Sequence, residues 1–295
     1  MKRYFALFSI LFALSLSAAG QTLDDKIREI DSYAATVAET WKGPGMAIAI
    51  VKDDRVVFAK GYGSRELGKA EPINPDTVFA IASNSKAFTT AALALLVDEK
   101  RLSWDDKVSK FLPDFKLYDP WVTSELTVRD LVTHRVGLDT FSGDLLWYEA
   151  NFTPDEILSR VRFLKPVSSF RTRYGYQNLM FIAAGKVVEK ASGKTWCGFV
   201  TERILQPLGM TRTKCSINDL PDNAAMPHNE SGGTLRVLHR GNVDAGYAAA
   251  ALNSSVNDLS KWVRTQLGKG KFEGKQIFSE AVAWQMHQPY LAQQI

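Results

Sequence analysis

Over most of this chain the apolar residues recur at the spacing of amphipathic helices. The first such segment, residues 24–41, ends before a Gly-Pro-Gly sequence at 43–45, which breaks helices and favours turns. Residues 84–99 are rich in good helix formers and predict a second helix with a broad apolar face. Further helices are predicted from Thr153 onward, where a threonine N-cap precedes a proline, and over residues 178–190, 195–205, 255–267 and 279–287.

Two short apolar segments follow the first helix and predict a β-hairpin. They cover residues 46–51 and 56–59 and flank a polar turn at 52–55. A hairpin alone is marginally stable in water, so we expect further strands to complete its sheet. The order of helix, hairpin and long helical middle predicts an α/β fold, in which an antiparallel sheet is flanked by helices beside a helical subdomain. A ligand site is expected between the two parts.

The composition is that of a globular protein, with 45% hydrophobic and 23% charged residues. Neither repeats nor a low-complexity linker interrupt the chain, so a single domain over residues 21–295 is the expected organisation. The formal net charge of +4 is too small to predict nucleic-acid binding. Nucleic acid is therefore not an expected partner.

The amino terminus has the three parts of a secretory signal peptide. Two basic residues precede an apolar run over residues 4–16 and a small-residue segment over 17–20. A membrane anchor needs about 20 apolar residues, which is more than this run provides. No cysteine lies near the cleavage site to accept a lipid. Residues 1–20 are therefore predicted to be removed, leaving a periplasmic or secreted protein without a stable membrane span.

Cys197 and Cys215 are the two cysteines of the chain. An oxidising compartment would allow them to pair, but a disulfide depends on how the fold brings them together. The sequence leaves the pairing open and favours two buried free thiols.

Several other chemistries lack their sequence signatures. No serine has glycine two residues before and two residues after it, as the nucleophile of an α/β-hydrolase does. His134, His228, His239 and His287 lack the spacing of metal ligands, so neither a metal nor a cofactor is expected, and His134 is assigned a structural role near a helix end. The Gly-Tyr-Gly sequence at 61–63 lacks the third glycine of a dinucleotide-binding loop and is interpreted as a turn.

A candidate nucleophile and base stand one helical turn apart at the start of the second predicted helix. Ser83 and Lys86 share one helix face, so the lysine amine can reach the serine hydroxyl. The first turn of a helix also favours developing negative charge, because its backbone N–H groups are unpaired. Ser-x-x-Lys alone occurs by chance about once in a chain of this length, so the pair needs further support.

That support comes from a Tyr-x-Asn sequence downstream. Tyr176 and Asn178 stand at the beginning of the helix predicted over residues 178–190. A tyrosine beside a lysine can relay a proton, and an asparagine can hold the lysine and orient the substrate. As an alternative, Tyr176 only packs against its helix, as most such tyrosines do. The combination with Ser83 and Lys86 favours a covalent serine hydrolase.

With these motifs the chain resembles the class C β-lactamase and penicillin-binding-protein-like serine hydrolases, a family that includes esterases and D-amino-acid peptidases. Residues 77–86 look like the first motif of this family and residues 176–190 look like its second. Residues 126–138 and 246–262 resemble other segments of the family, so that the similarity runs from about residue 47 to residue 286. The resemblance implies a β-lactamase/transpeptidase-like fold.

One motif of the family is not found in the sequence. A lysine or histidine followed two residues later by glycine is expected on a strand beyond the last helix. Lys194 follows a glycine instead of preceding one, and His287 is followed by Gln288 and Pro289. The resemblance implies that this motif, the closing strands and one oxyanion-hole N–H group would lie beyond Ile295. We therefore expect the chain to be incomplete, with an exposed sheet edge and low solubility or activity.

The predicted reaction is acylation of Ser83 by an amide, lactam or ester carbonyl, after which water releases the acyl group. Lys86 and Tyr176 share the proton transfers as catalytic residues, and Asn178 positions the lysine and the substrate. The expected partner is a small molecule or peptide: a β-lactam, a D-amino-acid peptide or an ester.

Two alternatives to catalysis stay open at the level of sequence. In one, the serine site persists as the pocket of a ligand-binding protein or pseudoenzyme; in the other, Ser83 and Tyr176 only cap helices of a structural envelope protein. Asp144, Trp147 and Tyr148 are candidates for lining a substrate pocket, with a packed surface loop as the competing interpretation. The sequence does not choose among the substrates, and it does not predict an oligomeric state.

Overall fold

The computed structural model describes residues 21–41 and 43–291. The signal peptide predicted over residues 1–20 lies outside the described residues. The chain divides into two compact units, one up to Gly43 and the other from Pro44 onward. Within the described ranges, every helix is too short or too polar to pass through a bilayer.

The segments with helical periodicity form helices, as predicted. One boundary differs: the α-helix predicted over residues 195–205 ends at Val200 and continues as a π-helical turn to Leu205. The α-helices are α1 (Leu23–Thr40), α2 (Ser85–Asp98), α3 (Pro120–Glu125), α4 (Val128–Leu131), α5 (Pro154–Arg160), α6 (Asn178–Ser192), α7 (Trp196–Val200), α8 (Tyr247–Ala250), α9 (Val256–Leu267) and α10 (Glu280–Met286).

Side-chain caps explain where several of these helices begin. Thr22 forms a capping box with Asp25 at the start of α1. Thr153 does the same with Glu156 at the start of α5, where Pro154 occupies the first turn as predicted. In each box the threonine side chain and the acidic side chain satisfy two backbone N–H groups that a helix end otherwise leaves unpaired.

All described strands pair antiparallel, in four two-stranded sheets. The first sheet is the predicted hairpin, and the third is a second hairpin that the sequence did not predict. The strands are β1 (Gly45–Lys52), β2 (Arg55–Gly63), β3 (Phe79–Ala80), β4 (His228–Ser231), β5 (Thr234–Val237), β6 (Asn253–Ser254), β7 (Lys271–Phe272) and β8 (Lys275–Gln276).

The turn predicted at residues 61–63 is wrong, because these residues end strand β2. Gly61 pairs with Ala47 of β1. A Cβ atom on Gly61 would collide with the backbone carbonyl group of Ile73. The glycine therefore allows two backbone segments to approach closely, and it does not serve a turn.

Helix α9 covers the first hairpin. It packs against both β1 and β2. Its Arg264 donates a hydrogen bond of 2.9 Å to the Asp54 carboxylate in the hairpin turn. A two-stranded hairpin gains stability when its apolar face packs on a helix, which is the arrangement found here.

Helices α2 and α6 form the centre of the core. Both are apolar around most of their circumference, which is typical of helices buried on every side. They pack against each other and against the short helix α8. The largest fully buried side chains include Phe88, Leu93 and Leu96 of α2, Leu179, Met180 and Ile182 of α6, and Trp196 and Phe199 of α7. Lys86 and Asn178 are thus carried by helices whose side chains are buried in the core.

The expectation of two free thiols is wrong, because Cys197 and Cys215 form a disulfide. Their Cα atoms are 6.0 Å apart, within the range that a disulfide requires. The two cysteines are 18 positions apart, and the chain between them includes the π-helical turn. This tertiary path, which has no signature in the cysteine spacing, brings the two side chains together.

A buried ion cluster holds the segment between α4 and α6. The Asp130 carboxylate is fully buried and accepts hydrogen bonds from Thr127, Arg135 and Arg171. Burial by itself raises the pKa of Asp130, but the hydrogen bonds from Arg171 and Thr127 outweigh it, so the pKa lies below its ordinary value. The carboxylate therefore stays charged and links three parts of the chain.

Replacing Asp130 with asparagine should lower the free energy of unfolding by about 3 kcal/mol, because it leaves two arginines without their buried partner. Equilibrium urea unfolding at neutral pH measures this change. Asp105→Asn is the matched control, since Asp105 is an exposed partner of Arg129 and its loss should cost less than about 1 kcal/mol. A group whose folded pKa is lowered loses its contribution in acid, so the difference between wild type and Asp130→Asn should shrink as the pH falls. Equal losses in the two variants would contradict the assignment.

Candidate active site

Ser83 lies at an exposed position immediately before helix α2. It occupies a short 3₁₀ turn over Ala82–Asn84, whereas α2 begins at Ser85. Ala82 has a φ of 45°, a left-handed conformation that is unusual for alanine. The turn is held from below by Ser85, whose hydroxyl donates to the Ala82 carbonyl and accepts from the N–H of Leu252. The Ser83 hydroxyl is therefore presented to solvent on a braced turn.

Lys86 stands beneath this serine and is almost completely buried, with 8% of its surface exposed. Its Nζ donates to Ser83 Oγ at 3.0 Å, to Asn178 Oδ1 at 2.7 Å and to the Ala249 carbonyl at 3.0 Å. These three acceptors match the three N–H donors of an ammonium group. When the amine is neutral, its lone pair can take the proton of the Ser83 hydroxyl.

The environment favours the neutral amine more than water does. Burial lowers the pKa of Lys86 to about 8, and the nearby Asp144 carboxylate partly opposes this effect by stabilising the charged form. A lysine in water has a pKa near 10.4 and is almost wholly protonated at neutral pH. The buried Lys86 therefore has an appreciable neutral fraction, as a general base requires.

Asn178 is the first residue of α6 and is buried at the bottom of the site. Its Oδ1 accepts from Lys86, and its Nδ2 donates to Asp144 Oδ2 at 2.7 Å. The prediction that this asparagine holds the lysine has a matching contact. Whether it also orients a substrate stays a prediction.

Tyr176 presents the face of its ring to Lys86. The Lys86 Nζ lies 4.8 Å from the centre of that ring, close enough for a cation–π interaction when the lysine is charged. Among the described residues the Tyr176 hydroxyl has no hydrogen-bond partner, so the direct link to Ser83 or Lys86 expected of a proton relay is not formed. Catalytic hydrogen bonds are often formed only when substrate is bound, and the catalytic role of Tyr176 therefore stays a prediction.

His134 supports the tyrosine from the other side. The two rings are stacked, with centres 4.4 Å apart, and His134 Nδ1 accepts a hydrogen bond from the N–H of Gln177. Burial, followed by the charge of Lys86, lowers the pKa of His134 to about 4. The imidazole is therefore neutral at ordinary pH. His134 has a backbone φ of 54° and lies beyond the end of α4, next to the site.

Asp144, in the segment 139–148, contacts the asparagine of the site. Asp144 was a candidate for a pocket wall, but its carboxylate contacts Asn178, and its other oxygen accepts from Trp147 Nε1 at 2.9 Å. Its spacing in the sequence contains no signal for this contact, which joins residues 34 positions apart.

Trp147 and Tyr148 line a cavity, whereas its use as a substrate pocket stays a prediction. The cavity has a volume of about 390 Å³ and adjoins the serine turn at Ala82. Its wall is mainly apolar. Arg240 is one of the lining residues, and its guanidinium donates to the backbone carbonyls of Ala224 and Ala225. Among the described residues, no three histidine, cysteine or acidic side chains are grouped so that they could hold a metal ion.

Comparison with known proteins gives the arrangement a context. The sequence model of a family described as Beta-lactamase matches residues 33–295. The Unguisins hydrolase ungD' of Aspergillus campestris is 33% identical over 270 residues, which cover 84% of this chain and 48% of that protein. The Protein flp of Staphylococcus aureus is 28% identical over 250 residues, with coverages of 83% and 49%. The chain thus spans about half the length of these curated relatives.

Solved structures share the fold. The octameric penicillin-binding protein homologue from Pyrococcus abyssi superimposes with a TM-score of 0.76 at 27% identity, over 92% of this chain and 61% of that one. The D-amino acid amidase from Ochrobactrum anthropi gives a TM-score of 0.73 at 21% identity, over 88% of this chain and 73% of that one, and this shows the fold alone. The β-lactamase/transpeptidase-like fold predicted from the sequence is confirmed.

Proposed function

This chain belongs to the β-lactamase family, and from that premise we propose that it is an exported serine hydrolase that forms an acyl-enzyme on Ser83. The observation that carries the proposal is the contact set of Lys86. A buried amine with a lowered pKa lies 3.0 Å from an exposed serine hydroxyl and is held by Asn178. A buried amine in contact with an accessible hydroxyl is typical of a base that activates a nucleophile, and a purely structural lysine does not require this contact.

In the proposed acylation, Ser83 Oγ attacks the carbonyl carbon of an amide, lactam or ester. The hydroxyl proton passes to the neutral Lys86 amine, and a tetrahedral intermediate forms with negative charge on the former carbonyl oxygen. Backbone N–H groups at the start of α2 contribute positive potential near that charge. The intermediate then collapses: the bond to the leaving nitrogen or oxygen breaks, and the leaving atom takes a proton from the Lys86 ammonium, with the Tyr176 hydroxyl as the relay.

Deacylation repeats these steps with water as the nucleophile. Lys86 accepts a proton from the water, which attacks the ester carbon on Ser83. Ser83 Oγ leaves and recovers its proton, so the free enzyme and a carboxylic acid are formed. The apolar cavity beside Ala82 favours substrates with an apolar acyl substituent, because burying such a group there removes it from water.

The substrate is proposed to be a small molecule or peptide with an amide, lactam or ester bond. The relative named Unguisins hydrolase supports hydrolysis as the reaction. Export is supported by the signal-peptide pattern of residues 1–20 and by the disulfide between Cys197 and Cys215, since disulfides persist in oxidising compartments.

Intact-mass spectrometry tests this proposal directly. The full-length protein from its native source is exposed to benzylpenicillin and, separately, to p-nitrophenyl acetate. We expect one acyl adduct per chain, located by peptide mapping on Ser83, and a mass that lacks residues 1–20. Absence of any adduct with both probes would contradict the hydrolase, and retention of residues 1–20 would contradict export.

A second candidate function is ligand binding without turnover. The observation that favours it is the Tyr176 hydroxyl, which is not hydrogen-bonded to Ser83 or Lys86 within the described residues. A pseudoenzyme should bind benzylpenicillin reversibly, as measured by calorimetry, and remain free of adduct in the same sample.

A further inference from the structure

Asp144 is linked to the Ser83–Lys86 pair through one side chain. The chain of contacts runs from Lys86 Nζ to Asn178 Oδ1 over 2.7 Å, and from Asn178 Nδ2 to Asp144 Oδ2 over 2.7 Å. Both contacts have the length of good hydrogen bonds. A single side chain, that of Asn178, thus separates the carboxylate from the base that the proposed function requires.

An asparagine amide has two ends of nearly the same shape but opposite hydrogen-bonding character. The lysine amine needs the oxygen end, whereas a carboxylate can accept only from the nitrogen end. Asp144 therefore admits one orientation of the Asn178 amide, the one in which its oxygen faces Lys86. A neutral residue able to donate at position 144 would admit the reverse orientation as well.

The carboxylate of Asp144 is itself held at both oxygens. Oδ2 accepts from Asn178, and Oδ1 accepts from the indole N–H of Trp147. The Trp147 ring is buried against Gly246, where a Cβ atom would collide with it. Gly143, with a φ of 83°, lets the backbone turn into the short 3₁₀ helix that carries Asp144. The position of the carboxylate is thus determined by packing on one side and by the amide on the other.

The Asp144 carboxylate is the charged group that acts most directly on the Lys86 amine. Among the described residues, Asp144 is the acidic group whose charge acts on the Lys86 amine, and it raises the pKa that burial lowers. His134 faces the amine too but is neutral, because its own pKa is lowered to about 4. Tyr176 presents its ring face. Within the described part of the chain, no second acidic group acts on Lys86 that could compensate for removal of the Asp144 charge.

We propose that Asp144 is a positioning residue for the acylation of Ser83, which locks the amide of Asn178 with its oxygen toward Lys86 and supplies the negative charge next to that pair. The inference rests on the proposed function, since Lys86 is the base there. It assigns to Asp144 a role in the machinery and not in a pocket wall. Trp147, which holds the carboxylate and also lines the apolar cavity, joins the machinery to that cavity.

The test is Asp144→Asn in the full-length protein, with Asp139→Asn as the matched control. Asp139 is an exposed carboxylate on the same segment and caps the N–H of Thr140. The pKa of Lys86 is measured by NMR titration of protein labelled with ¹³Cε,¹⁵Nζ-lysine, with the resonance assigned by its absence in Lys86→Met. This readout needs no turnover. The pH dependence of the acylation rate with p-nitrophenyl acetate is recorded in parallel.

In Asp144→Asn we expect the NMR midpoint of Lys86 to fall by about one pH unit, the order expected for losing one nearby charge in a partly buried site. The rising part of the plot of acylation rate against pH should shift by the same amount. The maximal rate at high pH, the plateau, should fall by about tenfold because Asn178 is no longer held in one orientation. Asp139→Asn should leave the midpoint unchanged.

Trp147→Phe separates the charge from the packing. It removes one hydrogen bond to the carboxylate but keeps the charge, so the midpoint of Lys86 should stay at the wild-type value while the plateau falls. An unchanged NMR midpoint in a folded Asp144→Asn protein would overturn the inference, even if its plateau rate fell. If the wild type itself forms no adduct, the proposed function fails, while the NMR titration still decides whether Asp144 acts on Lys86.

Discussion

Replacing Ser83 with alanine is expected to abolish the acyl adduct and to lower the acylation rate by a factor on the order of 10⁴ or more. The hydroxyl is the atom that forms the new bond, and no other side chain in the braced turn can take its place: Ser85 is fully buried and its hydroxyl is engaged with Ala82 and Leu252. Intact mass after exposure to benzylpenicillin, together with the burst of p-nitrophenol from the activated ester, measures the loss.

The fold should be unaffected by this substitution. Ser83 is exposed, and its side chain contacts Lys86 without carrying any cap of helix α2. Thermal unfolding of Ser83→Ala should therefore match the wild type within the usual range for surface changes.

Ser85→Ala is the matched control for this prediction. It removes a buried hydroxyl with two hydrogen bonds, so it should lower the free energy of unfolding by about 1 to 3 kcal/mol and still form the adduct. An adduct that persists in Ser83→Ala at the wild-type rate would show that Ser83 is not the nucleophile.

The acylation rate should rise about tenfold for each pH unit up to a pH of about 8, and then level off. The sign follows from the role of Lys86. A general base acts in its unprotonated form, and the pKa of Lys86 is about 8 because burial disfavours the ammonium. Below this pKa each pH unit reduces the neutral fraction tenfold, and above it the amine is already neutral.

Lys86→Met tests the assignment of this pH dependence to the lysine. The variant keeps an apolar chain of similar length in a buried position but has no base, so the rate should fall by about 10² to 10⁴-fold and lose its rise toward pH 8. Lys194→Met is the matched control, because Lys194 pairs with Glu202 on the surface and should leave the profile unchanged. A tenfold-per-unit rise that survives in Lys86→Met would assign the pH dependence to another group.

Local patterns in the sequence predicted the longer helices and the closeness of Ser83 and Lys86. Helices α1, α2, α5, α6, α9 and α10 were predicted within a few residues, because apolar periodicity and capping residues act over one or two turns. The closeness of Ser83 and Lys86 is equally local, since residues three apart on a helical path are neighbours. Their chemical roles are proposals that the contacts support.

Contacts between distant parts of the chain were decided by the fold. Lys86 and Asn178 are 92 positions apart and meet because the apolar helices α2 and α6 pack together. A family resemblance suggested that they belong to one site, but no pattern predicted that Asp144 contacts Asn178 or that the His134 ring is stacked on Tyr176. These contacts depend on loop paths, which carry no periodicity.

The family, the fold class, the helical framework and the Ser83–Lys86 pair could be predicted before the structure was known, because each depends on residue identity or on spacing within a few turns. Three features became visible in the folded chain: the disulfide between Cys197 and Cys215, the close backbone approach at Gly61, and the lowered pKa of Lys86. The physical reason is that pairing, close contact and pKa all depend on burial and on distances between residues far apart in the chain.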